Sequence, residues 1–390
     1  MKPGCVGNEQ AYMNEAIRLG QLCGDGTFTK KCSDLLKADL QAKSVLLTTS
    51  CTHALEMAAL LLNIKPGDEV IVPSFTFVST VNAFVLRGAK PVFADIRSDT
   101  KNIDEALLPG LITDKTRAIV VVHYAGVGCE MDAITALAKK RGIAVIEDNA
   151  HGIFGHYKGR PLGSFGEFST LSFHQTKNIQ CGEGGALVIN DPQFIERAEI
   201  LREKGTDRTK FFRGQIDKYS WVDIGSSYLI ADLLAAYLYA QLEEREAIQR
   251  RRRTIWDQYN ARLADWAVAN DIELPSVPVH CEQAYHMFYI MLPSLSARQR
   301  LIEHLEAHNI GSVFHYVPLH TSTMGTKFGY RSGDCPKTES VSDRLLRLPF
   351  YESLTPAEQD RVVEAIKLFT LREPLAEERV GHSLTSLPAR

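Results

Sequence analysis

Between residues 45 and 190 short, almost purely apolar runs alternate with helix-like or looped stretches, and this alternation limits the possible folds more than any other feature. The candidate strands are Val45–Thr49, Glu69–Pro73, Pro91–Asp95, Ala118–His123, Ile143–Glu147, Ser169–His174 and Ala186–Ile189. Ile119-Val120-Val121-Val122 shows no polar alternation, so both faces of that strand must be covered. His53–Asn63 and Glu130–Lys140 read as intervening helices, and in the second Ile134, Leu137 and Ala138 share a face. Strands separated by helices pair in parallel, which predicts an α/β fold around a mostly parallel seven-stranded sheet. Ligands in such sheets bind beyond the carboxyl ends of the strands.

A second pattern begins after Asp232, where a long helix runs through Leu242 into Arg250-Arg251-Arg252-Arg253. Glu243, Glu244 and Glu246 precede that run, so it reads as a solvated helix face. At 390 residues the chain exceeds one ordinary core. The expected division is a large domain over 1–249 and a smaller α/β C-terminal domain over 250–372, with residues 1–30 packing on the smaller one. Within the latter, Tyr285–Leu292 reads as a strand and Ser296 with Gln299 as a capping box opening a helix. Thr355-Pro356-Ala357-Glu358 opens the last helix in the same way. Residues 373–390 lack apolar periodicity and are expected to be a mobile tail.

Two strand ends carry the chemistry. Ala144-Val145-Ile146 ends in Glu147-Asp148, and Ser172-Phe173-His174-Gln175-Thr176-Lys177 leads into Gly182-Glu183-Gly184-Gly185. A lysine that can condense with an aldehyde and a carboxylate that can hold a pyridinium proton are what pyridoxal phosphate (PLP) chemistry requires. Side chains alternate along a strand, so Glu147 should point away from Asp148 and be structural. Ser50-Cys51-Thr52 precedes an alanine- and leucine-rich helix, where free amides and a hydroxyl suit a phosphate. Taken alone, this reads more readily as an ordinary helix cap. Ser172, on the strand leading to Lys177, adds a second hydroxyl. Phe77 reads either as a ring stacked on the cofactor or as core, and His151 as a partner of the ring's phenolic oxygen or a surface histidine.

Other classes fit less well. A net charge of −3 gives no sign of a nucleic-acid or anionic-membrane surface. No apolar run approaches the ~18 residues of a membrane span. The first residues lack a signal-peptide core, and eight cysteines without a C-x-x-C pair suggest reduced thiols in a cytoplasmic protein. No metal site is expected. Thr49-Ser50-Cys51-Thr52 after the first strand is not the G-x-G-x-x-G of a nicotinamide-dependent reductase.

In this order the motifs resemble the DegT/DnrJ/EryC1/StrS family of sugar aminotransferases, from about residue 6 to 370. The segments that carry the resemblance are Ser50 to Leu55, Pro73 to Thr80, Val122 to Gly126, Glu147 to His151 and Ser172 to Gly185. It implies PLP-dependent transferase fold type I, the aspartate aminotransferase-like architecture. It further implies Lys177 as the cofactor-linking lysine, Asp148 at the pyridinium, and Cys51, Thr52 and Ser172 around the phosphate. Phe77 would lie on the ring and His151 near the phenolic oxygen. Relatives that act as dehydratases have a histidine in place of this lysine, so Lys177 favours amino transfer. The expected partners are L-glutamate, a dTDP-keto-deoxysugar and a second copy of the chain, in a homodimer with shared active sites. Ser227 stands where the family usually has an asparagine reaching the partner subunit's phosphate, and a serine has shorter reach. The pyrophosphate of a nucleotide sugar needs cations or amides, for which Arg208, Arg213 and Lys218 are candidates. His315, Tyr316 and His320 are candidates near the sugar, with loop packing as the equal alternative.

Overall fold

The computed structural model describes residues 4–371. Its strands are β1 Ser44–Thr48, β2 Glu69–Pro73, β3 Lys90–Ala94, β4 Thr116–Val122, β5 Ala144–Asp148, β6 His156–Tyr157, β7 Arg160–Pro161, β8 Phe168–Ser172, β9 Gly185–Ile189, β10 Cys281–Glu282, β11 Tyr289–Met291 and β12 Leu345–Arg347. Seven of them form one sheet in the order β1-β9-β8-β5-β4-β2-β3. These are the seven strands expected from the apolar runs. The pairs β3/β2, β2/β4, β4/β5 and β5/β8 are parallel, whereas β9 is antiparallel to both its neighbours. The reversal follows from the connection: residues 173–184 join β8 to β9 without the helical crossover that a parallel return needs.

Both faces of the sheet are buried, with the two-residue period of extended chain. Val70, Val72, Ala118 and Val120 join one core with the helix Cys51–Leu61, while Ile71, Ile119 and Val121 join another with Met131–Arg141. At the β1–β9 edge Val45, Leu47, Leu171 and Val188 pack with the N-terminal helices Glu9–Arg18 and Thr27–Asp39 and with Asp232–Glu243. The helices of the N-terminal segment lie on this sheet edge, while Gly4 approaches the C-terminal region closely enough that a Cβ there would meet the Glu352 carboxylate. Ala16 and Phe28 are buried against Ala235 and Leu238, and Asp232 accepts from the Thr29 amide at 2.8 Å and its hydroxyl at 2.7 Å.

The helix Arg245–Ala269 is continuous. Ile248 near its start belongs to the sheet-edge core, and Ile255 and Trp256 belong to a separate core with Phe288, Leu301 and Val363. Within the arginine run Arg252 departs from the solvated face: it is buried and donates to the carbonyls of Tyr285 at 2.9 Å and His286 at 2.6 Å. The C-terminal core is covered by the helices Leu295–Ala307 and Pro356–Leu368 and by the antiparallel pair β11/β12. The first of these helices is capped by Ser294, not Ser296. Ser294 has extended backbone and accepts from the Ala297 amide at 3.1 Å, which puts Ser296 inside the first turn. Thr355 and Glu358 do form the reciprocal capping box. Residues 373–390 lie outside the described residues. No helix among the described residues is long and apolar enough to cross a membrane.

Candidate active site

Six of the seven sheet strands run the same way, so the carboxyl ends of β1, β2, β4, β5 and β8 open on one edge, where β9 begins. A cavity of about 510 Å³ sits there. Its lining comes from β1 and the following helix (Ser50, Cys51, Thr52), the segment after β2 (Thr76, Phe77, Ser79), β5 (Asp148, His151) and β8 (Ser172, Lys177). His315 and Tyr316 reach it from the C-terminal region, as do His286 and Arg347.

Its wall at the start of the Cys51–Leu61 helix is narrow by construction. Ser50 caps the helix by accepting from the His53 amide at 3.1 Å. Thr48 and Gly185 are register partners, and a Cβ on Gly185 would fall 2.3 Å from the Ser50 carbonyl carbon and 2.4 Å from the Cys51 nitrogen. The close contact of Gly185 is thus to the backbone that forms the helix start. The hydroxyl-bearing residues Thr52 and Ser79 both line the cavity beside this helix start, with Thr52 donating to the Ser79 hydroxyl at 2.8 Å.

Asp148 is 5 % exposed. It accepts from the Thr80 hydroxyl at 2.7 Å and the Ala150 amide at 3.2 Å. Burial still pushes its pKa up, against the lowering by those hydrogen bonds and by Lys177. Glu147 points the other way, as strand alternation requires. It is bound by His123 at 2.9 Å and by the amides of Gly163, Phe165 and Gly166 at 2.7, 2.6 and 2.9 Å. Burial pulls the Lys177 ammonium down to about 8, beyond what Cys51 and Asp148 restore. Its neutral amine is therefore available near physiological pH.

The rear wall is a stack of histidines. His151 lies on His286 with centroids 4.1 Å apart and planes 14° apart, and His315 continues the stack at 6.0 Å. All three are driven well toward the neutral form, by burial first and then by neighbouring cations and histidines. His286 is held by the Asn178 amide oxygen at 2.9 Å and His315 by the Tyr124 hydroxyl at 3.0 Å, whereas the buried Nδ1 of His151 has no partner. A lysine with a low pKa, a buried carboxylate, a helix start flanked by hydroxyls and an orphan imidazole nitrogen on one cavity fit a phosphorylated pyridine aldehyde.

Other expected residues lie elsewhere. His320 is fully buried between Ser74 (2.6 Å) and Glu339 (3.0 Å) and is a packing residue rather than part of this wall. Ser227, Arg208 and Arg213 line a second cavity of about 1080 Å³. Arg213 is bound to Glu199 at 2.6 and 3.0 Å and Arg208 to Glu203 at 3.2 Å. Lys218 is exposed and lines neither cavity. Sequence reasoning missed Thr80, His286 and Arg347. Arg347 had one visible signal, a lone cation in the apolar run Leu345-Leu346-Arg347-Leu348; His286 had none, because its partners are remote in sequence.

Comparison with known proteins agrees with this geometry. Residues 5–367 match the DegT/DnrJ/EryC1/StrS aminotransferase family. The chain is 35 % identical over 374 residues to an uncharacterized protein of Methanocaldococcus jannaschii, covering 93 % of this chain and 95 % of that one. It is 34 % identical over 371 residues to the spore coat polysaccharide biosynthesis protein SpsC of Bacillus subtilis, covering 93 % and 94 %. A putative sugar aminotransferase from Streptococcus pneumoniae, solved in its PLP form, superposes with a TM-score of 0.86 at 28 % identity, covering 94 % and 96 %. The sheet, the cavity at its carboxyl edge and these matches agree: this chain belongs to the DegT/DnrJ/EryC1/StrS aminotransferase family and is a PLP-dependent sugar aminotransferase.

Proposed function

We propose that the protein transfers the amino group of L-glutamate to the C4 ketone of dTDP-4-keto-6-deoxy-D-glucose. The products are dTDP-4-amino-4,6-dideoxy-D-galactose and 2-oxoglutarate. The observation that carries amino transfer is the meeting of Lys177 and Asp148 on one cavity with a helix start flanked by hydroxyls. The choice of sugar rests on the segments Leu22–Gly26, Phe211–Gln215, Asp217–Tyr219 and Asp223–Leu229. These look like the dTDP-4-amino-4,6-dideoxygalactose transaminase of enterobacterial common antigen synthesis, a step toward surface polysaccharide.

Bound in this cavity, PLP would supply an aldehyde to take up the donor's amino group and an electron sink for the carbon that bears it. In this reading Lys177 tethers the cofactor at rest, and its freed amine then moves a proton between the substrate carbon and the cofactor's C4′. Asp148 holds the proton on the pyridine nitrogen, with Thr80 fixing the carboxylate's direction. His151 offers its unpartnered Nδ1 to the phenolic oxygen, and Phe77 covers the ring. Cys51, Thr52, Ser172 and the helix start hold the phosphate. His315 and Tyr316 flank the acceptor sugar. The same reading divides the chain into a cofactor-binding domain over 1–249 and a C-terminal domain over 250–372, active in the cytoplasm.

The active sites are completed across a homodimer, with Ser227 reaching toward the phosphate in the other subunit's cavity. Mixed dimers of Lys177→Ala and Ser227→Asp chains test this. Activity in the mixed species, when both parents are inactive, is the expected result, and an inactive mixture removes the sharing. The substrate assignment is tested by proton NMR of the product made from glutamate and dTDP-4-keto-6-deoxyglucose. A small H3–H4 coupling means an axial amine and the galacto product. A large coupling means the gluco epimer, and no product from an enzyme whose cofactor glutamate does convert removes this sugar as the acceptor.

A further inference from the structure

His286 has no part in the reading above, yet it is buried and lines the cofactor cavity. Its backbone is held in place first. Tyr285, just before it, has a φ of +50°, a left-handed conformation that a tyrosine keeps only where its surroundings impose it. Arg252 supplies that constraint, since its buried guanidinium donates to the carbonyls of Tyr285 at 2.9 Å and His286 at 2.6 Å. Asn178, the residue after Lys177, then holds the ring. Its amide nitrogen donates to the Ala284 carbonyl at 2.6 Å and to Gln249 Oε1 at 3.3 Å, so its oxygen is the atom that faces His286. An amide oxygen only accepts, and the 2.9 Å contact is therefore a bond donated by His286 Nδ1.

His151 is held differently. Its buried Nδ1 has no partner, and its ring lies flat on His286, 4.1 Å away with the planes 14° apart. The other rings around it are farther off: His315 at 6.0 Å, and Tyr124 at 6.1 Å and edge-on. The face of His286 is thus the nearest surface that fixes the plane of His151. An imidazole turns readily about its outer torsion, so a plane pressed against a fixed face is what gives Nδ1 a direction. Charge does not disturb the stack. Burial opposes protonation of both rings first, and Lys177 and Arg347 oppose it further, with His315 acting on His151 and Arg252 on His286. Tyr316 keeps its proton through burial, and Asp148, the one buried carboxylate on the cavity, is engaged by Thr80 and Ala150. Two neutral rings lie together without repulsion.

We propose that His286 is a positioning residue: anchored at Asn178 beside Lys177, its flat face sets the direction in which His151 meets the cofactor's phenolic oxygen. The proposal rests on the aminotransferase reading and adds to it a residue that acts through another. It also ties two regions together, because the backing ring comes from the C-terminal side and the ring it backs follows β5 of the sheet.

The test uses the PLP-loaded enzyme and three variants. His286→Phe keeps a flat face without the Asn178 bond, His286→Leu keeps neither, and His286→Gln keeps a donor for Asn178 without the face. The pH midpoint of the cofactor's absorbance change is read for each, with Tm alongside. A phenolic oxygen that loses a fixed donor becomes more basic, so the midpoint in the Leu and Gln variants should rise by about 0.5 to 1 unit. In His286→Phe it should stay within about 0.3 unit of wild type, while Tm falls because the Asn178 oxygen is left unpaired. The glutamate half-reaction should slow about 3- to 10-fold in the Leu and Gln variants, with glutamate KM within about twofold. Those two remove the face by different chemistry, so one that folds suffices. Midpoints at the wild-type value in them overturn the proposal. So does a Phe midpoint displaced as far as theirs, which would assign the effect to the Asn178 bond. The absorbance needs no substrate, so the result stands whichever sugar is the acceptor. Wild-type enzyme that takes up no PLP removes the aminotransferase reading as well, whereas a normal cofactor band with unmoved variants removes only the role of His286.

Discussion

The cofactor cavity, about 510 Å³, is half the size of the cavity around Ser227, about 1080 Å³, and has fewer lysines and arginines on its wall. Size and charge alone would favour the larger one. The difference lies in which charges have partners. In the larger cavity the arginines all have counter-charges, although the buried Nε of Arg202 and of Arg208 has no hydrogen-bond partner: Arg202 is bound to Asp25 at 2.7 Å, Arg208 to Glu203 and Arg213 to Glu199. In the smaller one Lys177 is held at a low pKa, His151 Nδ1 has no partner and Arg347 has no counter-charge. Charges that already have a partner attract little, whereas buried groups without one gain a great deal from a ligand. Unsatisfied chemistry marks the site better than volume does.

The largest break in this comparison would come from Lys177→Ala. It should lower turnover by about 10³-fold or more while leaving the sheet folded, measured by single-turnover kinetics and circular dichroism. Activity near wild type would move the chemistry out of the smaller cavity. Asp148→Asn keeps the shape but not the charge, and should cost about 10²- to 10³-fold in kcat.

The ionisation of Lys177 offers a sharper check. Its amine is neutral above about 8, so between pH 7 and 9 cofactor capture by the apoenzyme should quicken about tenfold and then level off. A lysine at its ordinary 10.5 would instead give a rise of about 100-fold with no plateau. Stopped-flow absorbance distinguishes the two.

Smaller effects probe the walls. Gly185→Ala drives a methyl into the Ser50–Cys51 backbone and should destabilise the protein by about 2 kcal/mol, with weaker cofactor retention, in thermal melts with and without PLP. Arg213→Gln should be smallest. It removes the half-exposed partner of the buried Glu199 and should change the glutamate half-reaction by less than about twofold. If the larger cavity joins the site across the dimer, the same variant raises the sugar-nucleotide KM instead.

The seven strands, the two strand-end residues Asp148 and Lys177, and the helix start at Ser50–Thr52 were legible in the sequence because each is a local pattern. A buried parallel strand must be continuously apolar, and a functional side chain must follow it. Local patterns also misled. Ser296 with Gln299 satisfies the rule for a capping box, but Ser294 has the extended backbone and takes the cap. Arg252 sits in a run of arginines, but helical rotation turns it inward to the carbonyls of Tyr285 and His286.

By itself, then, the sequence determined which segments become strands, that they are covered on both faces, and which residues stand at their carboxyl ends, since period and burial are properties of neighbouring residues. Only the tertiary structure decided which of those ends share a cavity, that the N-terminal helices pack on the sheet edge, and that His286 and Arg347 come from more than a hundred positions beyond Lys177 to face it. Whether a charge is satisfied depends on partners brought together by folding, and no spacing along the chain records them.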